Sequence, residues 1–322
     1  MVLRQPGDAL SRLLEMPAGI PLPALGMMLA TLEPDSPLLD VLGAQSTWGW
    51  SHYHDYLGNQ WLPDGAHPAP FAQRALAILD EAELPEDCTA LVAGCGPGRE
   101  ALELVTRLMR REEDEPDAAN ETMPFNYPTV VALDNDAAQL RMLAQMVDPQ
   151  TDSHPFLLRA SADRWHTPVD VSLPRALKRA SDLIQIVCAD ALDPPFAPGI
   201  FGLVVAVDLL ESLSEPLRLL RVLDRLLAPG GLLLITSSFC WDAAVTPRAN
   251  RLAAAVPHVR RPDKLLIKDM LGGKVCPDLK LDYDAVAIID PLPRVVRIHD
   301  RYNQQTQSFV SLWRKRDRAG EP

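Results

Sequence analysis

Short, mostly apolar runs alternate with amphipathic stretches through the middle of the chain. Ala90–Ala93, Thr129–Leu133, Leu183–Cys188, Gly202–Val207 and Leu232–Thr236 are four to six residues long, rich in Val, Ile and Leu, and bounded by turn residues. They read as buried strands. Phe71–Leu84, Glu100–Met109, Ala137–Met146 and Pro216–Leu227 carry apolar residues at helical spacing, and Pro229-Gly230-Gly231 is the stop expected after the last of them. Strands alternating with helices imply right-handed crossovers and a parallel sheet. Near the end the rhythm changes, because Leu281–Ile289 and Gln307–Lys315 read as two strands with no obvious helix between them. A closing antiparallel hairpin fits, and the expected class is α/β: a seven-stranded, mostly parallel sheet with an antiparallel last strand and helices on both faces.

Three stretches interrupt this pattern. Residues 1–46 are short apolar pieces punctuated by six prolines, and Trp48–Trp61 (WGWSHYHDYLGNQW) concentrates aromatic and histidine side chains. Together they predict an N-terminal cap or lid over residues 1–70, ahead of one domain spanning 71–322. Residues 111–128 are acidic and rich in Pro and Asn, which predicts a surface insertion. Residues 148–181 read as a second irregular stretch with a short helix at Pro174–Ala180.

Composition narrows the class. The chain has 322 residues, 47% of them hydrophobic, with 31 basic against 43 acidic side chains and a net charge of -12. That balance opposes broad grip on a nucleic-acid backbone, which needs clustered Lys and Arg. No window approaches about 18 uninterrupted apolar residues, and the N-terminus lacks the basic start of a signal peptide. Cys88, Cys95, Cys188, Cys240 and Cys276 are scattered, odd in number and without CxxC spacing, the usage of reduced thiols rather than a disulfide framework or a zinc site. The expectation is a cytoplasmic protein without a membrane span or a metal site, with nucleic acid disfavoured as a partner.

The sharpest local signal is AGCGPGR, Ala93–Arg99, between a strand and a helix. Glycines at 94, 96 and 98 let the backbone turn tightly against a ligand, and the following helix offers free N–H groups and a positive dipole end. A glycine loop alone fits a dinucleotide fold equally well. Asp134, ending the second strand in VVALDND, can accept ribose hydroxyls or cap a helix. Asp190, in IVCADAL, can read an adenine edge or make a turn. Correlated features at three successive strand ends favour an S-adenosylmethionine site over a nicotinamide one.

The series ALVAGCGPGREALEL, VVALDND, IVCADAL, FGLVVAVDLLESL and LLAPGGLLLITSSF resembles the successive motifs of the class I S-adenosylmethionine-dependent methyltransferases, over about residues 88–240 and in order. The resemblance implies a Rossmann-like fold and S-adenosylmethionine as cofactor. Gly94, Gly96 and Gly98 would flank the methionine part, Asp134 the ribose and Asp190 the adenine, with Cys95, Arg99, Asn135, Ala191 and Asp208 as their neighbours in the cofactor site. More narrowly, FLLRASADRWHTPVDVSLPRALKRA, SSFCWDAAVTPRANRL and RVVRIHDRYNQQTQSFVSLWRKR resemble segments of the 4-mercaptohistidine N-methyltransferase domain of ovothiol biosynthesis. Two departures stand out: Val92 occupies a place where many relatives carry an acid, and VDLLESL replaces an Asn-containing segment.

Methyl transfer from a sulfonium is an in-line displacement that needs a close, aligned approach and exclusion of water. An imidazole acceptor must present one ring-nitrogen lone pair, so a carboxylate taking the N–H of the other nitrogen would fix the tautomer. Asp208 is the first candidate for that role and Glu211 the second, although both could equally form a solvated helix start. His52 and Tyr53 supply further proton-handling groups if the aromatic segment forms a lid. A macromolecular methyl acceptor, protein or RNA, and a non-catalytic binding module of the same fold are the competing functions.

Overall fold

A computed structural model of the chain describes residues 60–61, 69–84, 88–113, 129–148, 154–161, 164–171, 173, 177–178, 183–299 and 302–317. Helix α1 (Phe71–Leu76) leads through a 3-10 turn into β1 (Ala90–Ala93), α2 (Arg99–Glu113), β2 (Val130–Asp134) and α3 (Ala137–Met146). A separate hairpin, β3 (His154–Ser161) and β4 (Arg164–Val171), precedes β5 (Ile184–Cys188) and β6 (Phe201–Val207). The chain continues through α4 (Pro216–Leu226), β7 (Leu227–Ser237), α5 (Leu252–Ala255) and α6 (Asp263–Leu271) to β8 (Tyr283–His299) and β9 (Tyr302–Lys315).

The main sheet has seven strands in the order β5-β2-β1-β6-β7-β9-β8. Its first five strands are parallel neighbours, while β9 runs antiparallel to both β7 and β8. The all-apolar strand runs follow from burial on both faces. Ala90 and Val92 of β1 pack with Val130, Val205 and α2 on one side, and Leu91 and Ala93 pack with Val131, Val204 and α4 on the other. Helix α4 shows how a stripe does this: Pro216 opens it, where a missing N–H costs nothing, and Leu219, Leu220, Leu223 and Leu226 are buried on its sheet side. Each such leucine contributes roughly 1.5–3 kcal/mol by leaving water.

The expected seven-stranded α/β architecture stands, and several details are corrected. Residues 148–181 are not simply irregular, since they contain the β3–β4 hairpin. Pro155 and Pro168 obscured it, yet a two-stranded ribbon consists of edges, where proline is tolerated. The predicted helix over Phe71–Leu84 is α-helical only to Leu76 and then tightens into the 3-10 turn Ala77–Glu81. The Pro229-Gly230-Gly231 stop falls inside β7 rather than before it. Helix α2 runs to Glu113, so part of the proposed insertion is helical; residues 114–128 lie outside the described residues.

The closing hairpin is also longer than its apolar runs predict. β7 ends its pairing where Ser237 meets Phe309, but β8 and β9 stay paired from Leu292↔Ser308 outward to His299↔Tyr302. The Asp290-Pro291-Leu292-Pro293 stretch reads as a turn, and it is accommodated because β8 is an edge strand with a register shift between Ile289 and Leu292. This overhang rises from the same edge of the sheet at which β1, β2, β5 and β6 end.

Candidate functional site

The sheet reverses its winding direction between β1 and β6, the place where open α/β sheets bind ligands at the carboxyl ends of their strands. The glycine loop sits there. Gly94, Gly96 and Gly98 all have positive φ, at 65°, 52° and 85°, conformations that side-chain-bearing residues seldom adopt. A Cβ on Gly94 would lie 2.5 Å from Leu209 Cδ1 beyond β6, and one on Gly98 would lie 2.3 Å from Leu143 Cδ1 of α3. The loop is thereby packed from both sides. Cys95 is buried, donates its N–H to Leu133 O at 2.9 Å, and has its thiol pKa pushed well up by burial, with Asp134 and Glu100 adding to the effect. Its place is structural rather than nucleophilic.

Asp134 ties this loop to the next strand end. Its Oδ2 accepts from Gly96 N and its Oδ1 from Asp136 N, each at 2.8 Å. Burial raises its pKa and these backbone donors oppose the rise. The α3 cap is Asp136, whose Oδ1 accepts from Gln139 N at 3.3 Å, so the capping role considered for Asp134 falls two residues later. Asn135 is exposed, and Ala189 N donates to Asp134 O at 3.0 Å, joining the β2 and β5 ends. Asp190 is exposed and makes a turn, its Oδ1 accepting from Leu192 N at 2.8 Å, while Ala191 is buried behind it.

On the other side of the switch point, Asp208 follows β6 with φ 48°, in the left-handed region that a non-glycine residue enters at a cost. What holds it is a set of bonds to the end of β7. Asp208 N donates to Thr236 Oγ1 at 2.9 Å, and Thr236 Oγ1 donates to Asp208 Oδ1 at 2.8 Å. The guanidinium of Arg294, reaching in from the hairpin overhang, pairs with Asp208 Oδ2. The same guanidinium lies 4.8 Å from the Phe71 ring centroid. Glu211 is fastened to the post-β7 segment: Ser237 Oγ donates to it at 2.6 Å, Ser238 N at 2.8 Å and Ser238 Oγ at 2.9 Å. Burial and neighbouring Asp208 raise its pKa.

Besides Arg294, two more groups absent from the sequence reading complete the site. Glu100, in the first turn of α2, is 5% exposed, and burial pushes its pKa up to about 7 against the pull of Arg294 and Arg99. Gln60 bridges it, donating from Nε2 to Oε1 at 3.3 Å and Oε2 at 3.1 Å. No local pattern marks these contacts, which span 40 residues for Gln60–Glu100 and 86 for Arg294–Asp208. His52 and Tyr53 lie outside the described residues.

The donor set fits an adenosyl sulfonium amino acid. Acids at three strand ends suit hydroxyl and amino groups, the glycine loop leaves backbone room, and Arg99 Nε and Trp61 Nε1 are buried donors with no hydrogen-bond partner among the described residues. Carboxylates gathered around one guanidinium also favour a cationic ligand. All five cysteines are free thiols, and among the described residues no helix is long and apolar enough to cross a membrane.

A family described as "Methyltransferase domain" matches residues 161–235, the stretch that carries β4, β5, β6, α4 and most of β7. No curated protein matches the chain. Solved structures similar to it include an S-adenosylmethionine-dependent methyltransferase from Methanosarcina mazei, 16% identical, covering 72% of this chain and 94% of that one with a TM-score of 0.39. Another from Aquifex aeolicus is 15% identical over 77% and 94%, with a TM-score of 0.39. The YcgJ protein of Bacillus subtilis is 13% identical over 76% and 99%, with a TM-score of 0.44. By the domain match, the chain is an enzyme, a methyltransferase, and its cofactor is S-adenosylmethionine.

Proposed function

We propose that this methyltransferase moves the methyl group of S-adenosylmethionine to a nitrogen or sulfur nucleophile of a small molecule, with a histidine-derived imidazole as the acceptor class to be examined first. The observation that carries the proposal is Asp208: a carboxylate kept in a strained left-handed backbone at the mouth of β6, anchored by Thr236 and Arg294, beside the glycine loop. Strain of this kind costs about 1–3 kcal/mol and persists where surrounding bonds impose it. Each carboxylate oxygen has two lone pairs, so Asp208 can accept an acceptor's N–H while keeping Thr236 and Arg294. For an imidazole this leaves the second nitrogen's lone pair directed away from the carboxylate.

When bound, the cofactor supplies an electrophilic methyl on sulfur. In this reading Gly94, Cys95, Gly96, Gly98 and Arg99 line its methionine side, Asp134 and Asn135 its ribose, and Asp190 and Ala191 its adenine. Asp208 orients the acceptor and Arg294 fixes Asp208. Glu211 holds the post-β7 segment in place through Ser237 and Ser238. His52 and Tyr53 remain candidates for closing the site as part of a cap over residues 1–70, with 71–322 as the catalytic domain of a cytoplasmic protein.

The test is release of S-adenosylhomocysteine with a panel of histidine-derived thiols and amines, compared between the wild type and Asp208→Asn. The expected result is turnover on at least one imidazole, reduced at least tenfold by the substitution. Equal turnover by the two proteins would remove Asp208 from the mechanism. Methylation only of protein or RNA would replace the acceptor class.

A further inference from the structure

The amino end of α2 holds an unusual arrangement. The Gln60 carboxamide spans two neighbouring groups, with Oε1 accepting from Arg99 N at 3.4 Å and Nε2 donating to both oxygens of Glu100 at 3.1 and 3.3 Å. All three bonds are longer than the usual 2.9–3.0 Å or so for N–H···O. Gln60, Arg99 and Glu100 are each at most 7% exposed. Around them two buried donors, Arg99 Nε and Trp61 Nε1, have no hydrogen-bond partner among the described residues; the Arg99 guanidinium pairs through Nη2 with Glu103 and lies 5.0 Å from the Trp61 ring centroid.

An acceptor and a donor presented side by side to a helix N–H and a buried carboxylate form the pattern of an α-amino-acid head. In the amide the two groups share one carbon; in an amino acid two carbons separate them, a slightly longer reach that suits the long bonds seen. A carboxylate at this position would take the Arg99 N–H, the helix dipole and the orphaned donors. An ammonium would bring Glu100 a hydrogen-bonded opposite charge to add to the coulombic pull of Arg294 and Arg99.

We propose that Arg99 and Glu100 form the seat of the cofactor's amino-acid head, Glu100 receiving the ammonium and the amino end of α2 the carboxylate, and that Gln60 fills this seat until the cofactor displaces it. The inference rests on S-adenosylmethionine being the cofactor and adds which residues read its zwitterion. Displacement is favourable because the ammonium and carboxylate of the cofactor bring full charges to ionised Glu100 and to the helix end, where the Gln60 amide brings only neutral dipoles.

The experiment is calorimetric binding of S-adenosylhomocysteine and of 5′-methylthioadenosine, which lacks the amino-acid head, to the wild type, Glu100→Gln and Gln60→Ala. The wild type should prefer S-adenosylhomocysteine. Glu100→Gln should lower that affinity about tenfold, the loss of one charge-assisted bond, and leave methylthioadenosine unchanged. Gln60→Ala should strengthen S-adenosylhomocysteine binding severalfold. Unchanged S-adenosylhomocysteine affinity in Glu100→Gln, or weaker binding by Gln60→Ala, overturns the proposal while leaving the cofactor in place. Failure of the wild type to bind either nucleoside overturns both.

If Glu100→Gln does not fold, the wild type alone still decides. Its preference for S-adenosylhomocysteine should grow between pH 6 and pH 8 as Glu100 ionises among Arg99, Arg294, Asp208 and Gln60, and a constant preference would refute the assignment.

Discussion

Asp134 and Asp208 end strands on opposite sides of the switch point, and they are held in opposite ways. Asp134 takes backbone N–H groups from Gly96 and Asp136, donors that cannot turn away. Asp208 takes a hydroxyl from Thr236 and a guanidinium from Arg294, side chains on two different strands. The first carboxylate is built into the loop it organises. The second is held by partners that can shift their share of its lone pairs. A fixed cradle on the glycine side suits a cofactor common to many reactions, and an adjustable ion pair on the hairpin side suits the acceptor that distinguishes one reaction from another.

The sharpest way to break the fixed side is Gly98→Ala. With φ at 85° and a Cβ 2.3 Å from Leu143 Cδ1, it should lower stability by about 3 kcal/mol through strain and overpacking combined and abolish S-adenosylhomocysteine binding. Gly230→Ala is the control, because φ is 73° there but nothing lies within 4 Å of the added Cβ. Its cost should be about 1 kcal/mol of backbone strain, with binding retained. Thermal unfolding and calorimetry together check the pair, and equal costs would show that the Leu143 contact is unimportant.

Asp134→Asn should come next. One of the two backbone donors would face an amide NH₂ instead of an oxygen, costing about 1–3 kcal/mol, and cofactor affinity should fall at least tenfold by calorimetry. Arg294→Met tests the other side: turnover should fall about tenfold while the S-adenosylhomocysteine dissociation constant stays within threefold. Should cofactor affinity fall as far as in Asp134→Asn, the division between the two sides disappears.

The smallest effect concerns pH. The fold raises Glu100 from the ordinary value of 4.5 to about 7, so the folded state holds this proton more tightly than the unfolded chain. Its contribution is therefore full below about pH 4.5 and is lost as pH rises through about 7. Glu100→Gln, free of that titration, should unfold at nearly the wild-type temperature at pH 4.5 and a few degrees higher at pH 8. A difference that does not change with pH would remove this titration from Glu100.

The central parallel strands are legible because both faces are buried, so Ala90–Ala93 matches β1 residue for residue, and Ala137–Met146 matches α3 through its helical spacing of apolar residues. The glycine loop was legible for a different reason, since its backbone demands show as residue type. What escaped were features fixed by distant partners. Arg294 sits among prolines that mimic a turn, and only the edge position of β8 lets the hairpin continue past them. Glu100 looks like an ordinary first-turn acid, and its partner Gln60 comes from a segment with no periodic pattern. Helix α6, whose Leu266, Ile267, Met270 and Leu271 are buried, carries an apolar stripe but lies outside the strand–helix alternation of the parallel sheet.

The position of β9 has a consequence for biosynthesis. It lies between β7 and β8 although it follows both along the chain, so until residues 302–315 have emerged from the ribosome β7 has an unpaired edge and β8 has no place in the sheet. Arg294, Asp208 and Phe71 can take their native places only after that late strand zips in. A nascent chain stalled before residue 302 should therefore be captured by chaperones and remain incapable of retaining S-adenosylhomocysteine, whereas one released a few residues after 315 should already hold it.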